Sequence, residues 1–185
     1  MSELRTERLV LRGWRDTDLA PWAAMNSDPE VRRHFPGVLT REQSQASMAR
    51  FQAEIDRRGW GWWAVEVVAT GEFIGFTGLS PVEDVMPFTG VEAGWRLARS
   101  AWGHGYASEA ARAVVAFGLD SLELPEILAV TTVTNLRSQA VMRRIGMSRD
   151  PADDFDDPTM PPGPLRPSVL YRLPRGSGSH RPIEP

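Results

Sequence analysis

Apolar residues alternate with polar ones in some stretches of the chain and recur every three to four residues in others, and the switches between these periods lay out its elements. Arg8–Trp14 alternates and reads as a first strand. Asp16 or Thr17 can cap a short helix reaching Asn26, with Leu19, Trp22, Ala23 and Met25 on its apolar side. Pro29–Gly37 is irregular, and Thr40 opens a second, mostly polar helix that runs to Arg58. Trp62–Val68 and Glu72–Leu79 form a predicted hairpin turning at Thr70 and Gly71. Val82–Gly90 is a loop and Val91–Leu97 another strand. Ala107–Leu122 is the clearest helix, with Ala110, Ala111, Val114, Val115 and Gly118 making a close-packing face. Ile127–Val133, β-branched and apolar, reads as a buried strand. Ser138–Ile145 is a short helix ended by Gly146, and Leu165–Leu173 carries the last strand. The order predicts a mixed α/β (α+β) fold around one sheet. A single domain is expected over residues 1–174, and the Gly-, Ser- and Pro-rich segment 175–185 is expected to be a disordered tail.

Composition narrows the chemistry. With 185 residues, 42% of them hydrophobic, the chain can bury a core without a covalent staple. It has no cysteine, which excludes disulfides, a thiolate nucleophile and cysteine-held metal. All 21 basic residues are arginine, so neither Schiff-base catalysis nor a P-loop lysine is available. A net charge of −3 with no basic block argues against nucleic acid as a partner. The start of the chain is charged and no apolar run approaches the ~20 residues of a membrane span, so a cytoplasmic protein with no membrane partner is expected. His34, His104 and His180 are scattered and make no metal site.

The informative stretch is Val91–Ala107, a strand running into a loop with Gly103 and Gly105 and then directly into a helix. Glycines let a ligand approach the main chain. The first helical turn presents unpaired N–H groups with partial positive charge. Together they can cradle a diphosphate without lysine; the alternative is a tight turn that uses glycine for geometry alone.

Four ordered pieces add to this: Thr6–Arg12 (TERLVLR), Glu92–Leu97 (EAGWRL), Trp102–Ala110 (WGHGYASEA) and Asn135–Met147 (NLRSQAVMRRIGM). Together, over about Thr6 to Met147, the chain resembles the GNAT superfamily of N-acetyltransferases, and within it the RimJ/RimL-type branch that acetylates ribosomal-protein N-termini. The resemblance implies a three-layer fold with a splayed, mostly antiparallel central sheet flanked by helices. It implies acetyl-CoA as co-substrate, held between strands Val91–Leu97 and Ile127–Val133. Main-chain groups of Leu97 and Ala98 would meet the pantetheine arm, and Trp102, Gly103, His104, Gly105, Tyr106 and Ala107 the diphosphate. Where the family often has Gln or Arg, this chain has Ser100, which leaves Arg99 beside it as the phosphate contact. Asn135 would bond the pantetheine arm, cap the following helix, or both. Ser138 would face the sulfur or be a first-turn helix residue.

Acyl transfer to an amine needs a neutral nucleophile held near the thioester, a donor for the developing oxyanion and help for the leaving thiolate. Glu92 is the candidate base, since burial on a central strand raises a carboxyl pKa; otherwise it is an ordinary strand glutamate. Glu109 is assigned a structural role. The family's acid, a tyrosine seven residues after Asn135, is Met142 here, so Ser138 becomes the candidate for assisting the thiolate, with Tyr171 in reserve. Trp22, Phe35, Trp60, Trp62, Trp63 and Phe88 could border an aromatic acceptor pocket or simply pack the core. The five aspartates of Asp150–Asp157 could attract a cationic amine or form a solvated loop. The expected partners are acetyl-CoA and an amine acceptor, a protein N-terminus or a small molecule, with the protein itself a monomer or homodimer. The alternative is a non-catalytic acyl-CoA sensor or scaffold on the same fold.

Overall fold

The computed structural model describes residues 3–176. Its strands are β1 (Leu4–Arg5), β2 (Leu9–Arg12), β3 (Trp62–Val67), β4 (Phe73–Pro81), β5 (Val91–Leu97), β6 (Glu126–Thr132), β7 (Ser148–Arg149), β8 (Phe155–Asp156) and β9 (Pro167–Pro174). Its helices are α1 (Leu19–Ser27), α2 (Arg41–Arg58), α3 (Tyr106–Ala116) and α4 (Leu136–Arg144). All nine strands share one sheet in the order β1-β2-β3-β4-β5-β6-β9-β7, with β8 also pairing β9. Of the tail expected at 175–185, Arg175 and Gly176 form a turn and the rest lies outside the described residues.

Helices cover the two faces of this sheet. The alternation of a strand makes the assignment visible in two adjacent tryptophans. Trp62 turns toward Phe51 of α2 and Phe76, whereas Trp63 turns to Phe117 at the end of α3. Trp22, Phe51 and Ile55 fill the α1/α2 side, and Ala110, Ala111, Val114 and Val115 bury the small-residue face of α3. Beyond Ala116 the helix widens into a π turn, Phe117–Ser121. There Gly118 lets Ile127 and Leu79 approach so closely that a Cβ would sit 2.7 Å and 3.0 Å from their methyl carbons.

Two expectations shift. The first strand ends at Arg12 rather than Trp14, because the Trp14 N–H donates to the Gln52 side chain (2.7 Å) and its indole N–H to the Trp62 carbonyl (2.7 Å). The cap before α1 is not Asp16 or Thr17. These residues open a 3₁₀ turn whose third member, Asp18, accepts the Arg15 N–H (2.8 Å). Asp18 also grips the buried Arg12 guanidinium through two bonds of 2.8 and 2.9 Å, and Glu66 takes Arg12 Nε at 2.7 Å. Burial disfavours the Arg12 charge, but the bonds to Asp18 and Glu66 outweigh it and raise its pKa.

Every strand pair is antiparallel except β5 and β6. Those two run parallel and share a single register pair, Glu92 opposite Leu128. Beyond it they part, and the sheet opens a wedge between the C-terminal halves of β5 and β6. Among the described residues no helix is long and apolar enough to cross a membrane.

Candidate active site

The wedge is the floor of a cleft of about 1920 Å³. One wall is β5 from Glu92 to Leu97, another is Val130, Thr131 and the head of α4, and the far end is the loop entering α3.

At that end Gly103 (φ 84°) and Gly105 (φ 79°) both take left-handed backbone angles. Nothing lies within 4 Å of where a Gly103 side chain would start. Gly105 caps α3 with no side-chain hydrogen bond to the helix. The first intrahelical donor is Glu109, whose N–H reaches the Gly105 carbonyl (3.1 Å), so the amides before it point out of the helix mouth. The mouth is anchored from below. The Glu109 carboxylate accepts from the Thr6 hydroxyl (2.6 Å), the Arg8 N–H (2.9 Å) and Arg8 Nε (2.7 Å). Burial alone would raise the Glu109 pKa, but these donors lower it, and its carboxylate ties the helix mouth to the segment before β2. Arg8 also donates to the His104 carbonyl (3.0 Å) and lies over the Tyr106 ring. Arg112, Arg137 and Arg144 line the cleft, with Arg137 stacked 4.6 Å over Trp102. A loop with no side chains in the way, free amides and surrounding arginines fits a diphosphate.

The exposed edge of β5 leads from this loop to the centre of the sheet. The Ala98 N–H donates to the Ile74 carbonyl (2.8 Å), which fixes the phase of the β4–β5 ladder. With Leu97 opposite Gly75 and Trp95 opposite Thr77, the alternation turns the main-chain groups of Leu97 and Trp95 away from β4 and into the wedge. The Leu97 carbonyl there accepts the Trp102 indole N–H (2.9 Å).

Glu92, Gly94 and Arg96 share the opposite face of β5, toward α1 and α2. Glu92 is partly buried and lines the cleft, and its main chain pairs with Ser80 of β4. Burial, then the nearby charges of Glu83 and Asp157, push its pKa up to about 7. At Gly94 a Cβ would come within 2.9 Å of the Trp62 ring, so glycine lets that ring lie on the strand. Arg96 donates to Asn26 Oδ1 (2.8 Å), and its guanidinium carbon sits 4.3 Å from the Phe35 ring centre, 5.2 Å from Phe76 and 5.5 Å from Trp22. Its Nε is sealed from solvent without a hydrogen-bond partner.

Across the wedge, Asn135 caps α4, with Oδ1 accepting the Ser138 N–H (3.2 Å) and Nδ2 donating to the Thr131 hydroxyl (2.9 Å). The capping alternative thus holds, and this explains why α4 starts at Leu136, earlier than its apolar pattern suggests. One amide proton and a carbonyl lone pair remain for another partner. Ser138 and Met142 line the cleft, so the place where the family's tyrosine was expected does face it, with a thioether instead of a hydroxyl.

Of the residues singled out from sequence, Glu92, Leu97, Trp102, Gly103, Gly105, Tyr106, Ala107, Asn135 and Ser138 converge on this cleft. Ala98, Arg99 and His104 are adjacent in sequence but not in its lining; Arg99 and His104 are exposed. Tyr171 is not in the lining either. It is buried behind α4, where its hydroxyl accepts from Arg143 (3.0 Å) and meets Gln139 Oε1 at 3.4 Å. Phe35 and Trp62 line the cleft, whereas Trp22 and Trp63 are core and Phe88 packs on Phe155. Phe51 and Phe76, which the sequence did not mark, also line it, as does Arg96, which stands in the Glu92–Leu97 piece but was given no role there. The acidic run is a braced loop. Asp153 binds Arg172 (2.8 Å), Asp154 binds Arg149, Asp157 accepts from Thr159 (2.8 Å), and none of its members lines the cleft.

Several known proteins are similar to this chain in sequence or in shape. Residues 8–148 match the family model described as acetyltransferase (GNAT) domain. The uncharacterized protein YkkB of Bacillus subtilis is 32% identical over 147 residues, 79% of this chain and 85% of that protein. The FsC-acetyl coenzyme A-N(2)-transacetylase of Aspergillus fumigatus is 35% identical over 161 residues, 82% of this chain and 67% of that protein. The ribosomal α-N-protein acetyltransferase RimL, solved in complex with coenzyme A, superposes with a TM-score of 0.74 at 14% identity, covering 94% of this chain and 98% of its own, a likeness of fold.

Proposed function

The chain belongs to the acetyltransferase (GNAT) family, and from that premise we propose that it moves an acetyl group from acetyl-CoA to an amine by direct attack in a ternary complex. The observation that carries this is the continuity of the cleft. The amides at Gly103–Ser108, the open edge of β5 and the Glu92 carboxyl lie along one wedge.

In this reading the mouth of α3 takes the diphosphate through main-chain N–H groups, with Arg137, Arg112 or Arg144 adding charge at the margin. The pantetheine arm lies along Trp95 and Leu97 as an extra strand-like partner, reached by the remaining capacity of Asn135. Glu92, with a pKa near 7, is poised to accept a proton from the acceptor ammonium, directly or through water. The neutral amine attacks the thioester carbon, and a main-chain N–H of β5 that turns into the wedge supports the oxyanion. Ser138 assists the departing thiolate; Tyr171, held by Arg143 and Gln139 behind α4, has no part. Residues 1–174 act as one catalytic domain.

Acetyl-CoA should raise the melting temperature, and thiol should be released on adding a suitable amine. Stabilisation without thiol release across a broad amine panel would favour a sensor. No stabilisation by acetyl-CoA or CoA would remove the whole proposal.

A further inference from the structure

Among the described residues Arg12 and Arg32 are buried and Arg96 is half-buried with its Nε sealed from solvent, and Arg12 and Arg96 keep very different company. Arg12 is matched by two carboxylates, Asp18 and Glu66. Arg96 has none among the described residues: it has one neutral amide, Asn26, three aromatic faces, and a buried Nε that donates to nothing. A buried guanidinium without a counter-charge is costly, and aromatic faces repay part of that cost. The neighbouring charge makes the imbalance worse. Arg32 is also buried, donates Nε to the Gly37 carbonyl (2.7 Å), and makes no ion pair among the described residues. Burial and Arg32 together pull the Arg96 pKa down, yet a guanidinium stays protonated at neutral pH.

Unlike Arg32, Arg96 lines the cleft, and it does so on the same face of the same strand as Glu92, four residues away. That is a separation of about 13 Å between Cα atoms, which the two long side chains shorten considerably. The acceptor end of the cleft therefore has a proton-accepting carboxylate at one side and an uncompensated cation at the other. Gly94 and the Trp62 ring lie between them.

Resting on the acetyltransferase reading above, we infer that the acceptor carries a carboxylate as well as the reacting amine, and that the carboxylate is bound by Arg96. Phe35, Phe76 and Trp22 surround the guanidinium and Asn26 fixes one terminal nitrogen. The Nε is sealed from solvent, so the other terminal nitrogen, which donates to no described residue, is the one that meets the carboxylate. Such a carboxylate comes from a free amino acid or from an acidic side chain beside a peptide's N-terminus.

The test uses the full chain and matched probes. These are α-amino acids and ω-amino acids against their carboxamides, and dipeptide amides opening with aspartate against those opening with asparagine. Thiol release from acetyl-CoA gives kcat/KM for each, expressed per neutral amine. The expected result is at least about tenfold preference for the carboxylate member of the best pair, as for a hydrogen-bonded charge pair. That preference should collapse toward unity in Arg96→Met and partly return in Arg96→Lys, while acetyl-CoA raises the melting temperature of all three proteins equally. The pair showing the preference identifies the source of the carboxylate. A ratio near unity in the wild type, a ratio unchanged in Arg96→Met, or turnover confined to amines without a carboxylate overturns the inference. So does binding of acetyl-CoA with no turnover of any carboxylated probe. Failure of acetyl-CoA to stabilise the protein strikes the underlying acetyltransferase reading instead.

Discussion

The indole N–H of Trp102 donates to the carbonyl of Leu97 at 2.9 Å, tying the glycine loop to the end of β5. The two halves of the proposed acetyl-CoA site, helix mouth and open strand edge, are therefore joined by a direct bond. Removing that bond while keeping a ring, as in Trp102→Phe, should weaken acetyl-CoA binding about fivefold, the worth of one hydrogen bond near 1 kcal/mol. Calorimetric titration with CoA measures it; an unchanged Kd would show that the loop is held by other contacts.

Glu92→Gln should lower kcat by about 10²-fold or more, as expected for loss of a general base, with CoA affinity retained. In the wild type, kcat/KM should rise with pH and level off above about 7, where the Glu92 carboxyl has lost its proton. That limb should be absent from the residual rate of the variant. A wild-type profile flat between pH 5.5 and 8 would remove Glu92 as the base.

The same carboxyl makes a stability prediction of definite sign. Its folded pKa, about 7, lies above its ordinary value of 4.5. The folded state thus holds the proton more tightly, and stability from this group is fully present below 4.5 and lost as pH rises through 7. Glu92→Gln removes the penalty, so its gain over wild type should be near zero at pH 4.5 and grow to at most about 3 kcal/mol by pH 8. Urea melts at the two pH values check it; equal gains at both would contradict it.

Asp18→Asn should be strongly destabilising, by about 3–5 kcal/mol, since it leaves Arg12 buried beside a neutral amide. Arg12→Met combined with Asp18→Leu should cost less than Asp18→Asn alone. Denaturant unfolding of both variants decides, and a mild Asp18→Asn would mean that Glu66 suffices to hold Arg12.

Gly103→Val should abolish CoA-dependent stabilisation. At φ 84° a β-branched residue strains the backbone by about 1–3 kcal/mol, and its methyls would stand over the cleft. The protein still has space there, since nothing lies within 4 Å, so the loss should show in binding far more than in folding. A variant that binds CoA normally would contradict the cradle.

Sequence patterning caught the elements whose own residues encode a period. β5 spans Val91–Leu97 as its alternation indicates, and the helix face at Ala110, Ala111, Val114 and Val115 is buried as spaced. It missed β1, β7 and β8, which have two residues each and exist through pairing with distant strands. The glycine loop and the start of α3 were legible because both are local signals. The acceptor side was not. Phe51, Phe76 and Arg96 reach the cleft from α2, β4 and β5, and what distinguishes Arg96, a charge without a carboxylate, is a property of neighbours far away in the chain. Tyr171 was a candidate because β9 could reach the wedge; the register with Ala129 and Arg149 sets it behind α4 instead.

The most direct measurement is a crystal structure of the protein with coenzyme A. The diphosphate should lie on the amides of Gly103–Ser108, with the thiol end in the wedge between Leu97 and Ser138. A diphosphate bound elsewhere, with that helix mouth left to solvent, would contradict the account.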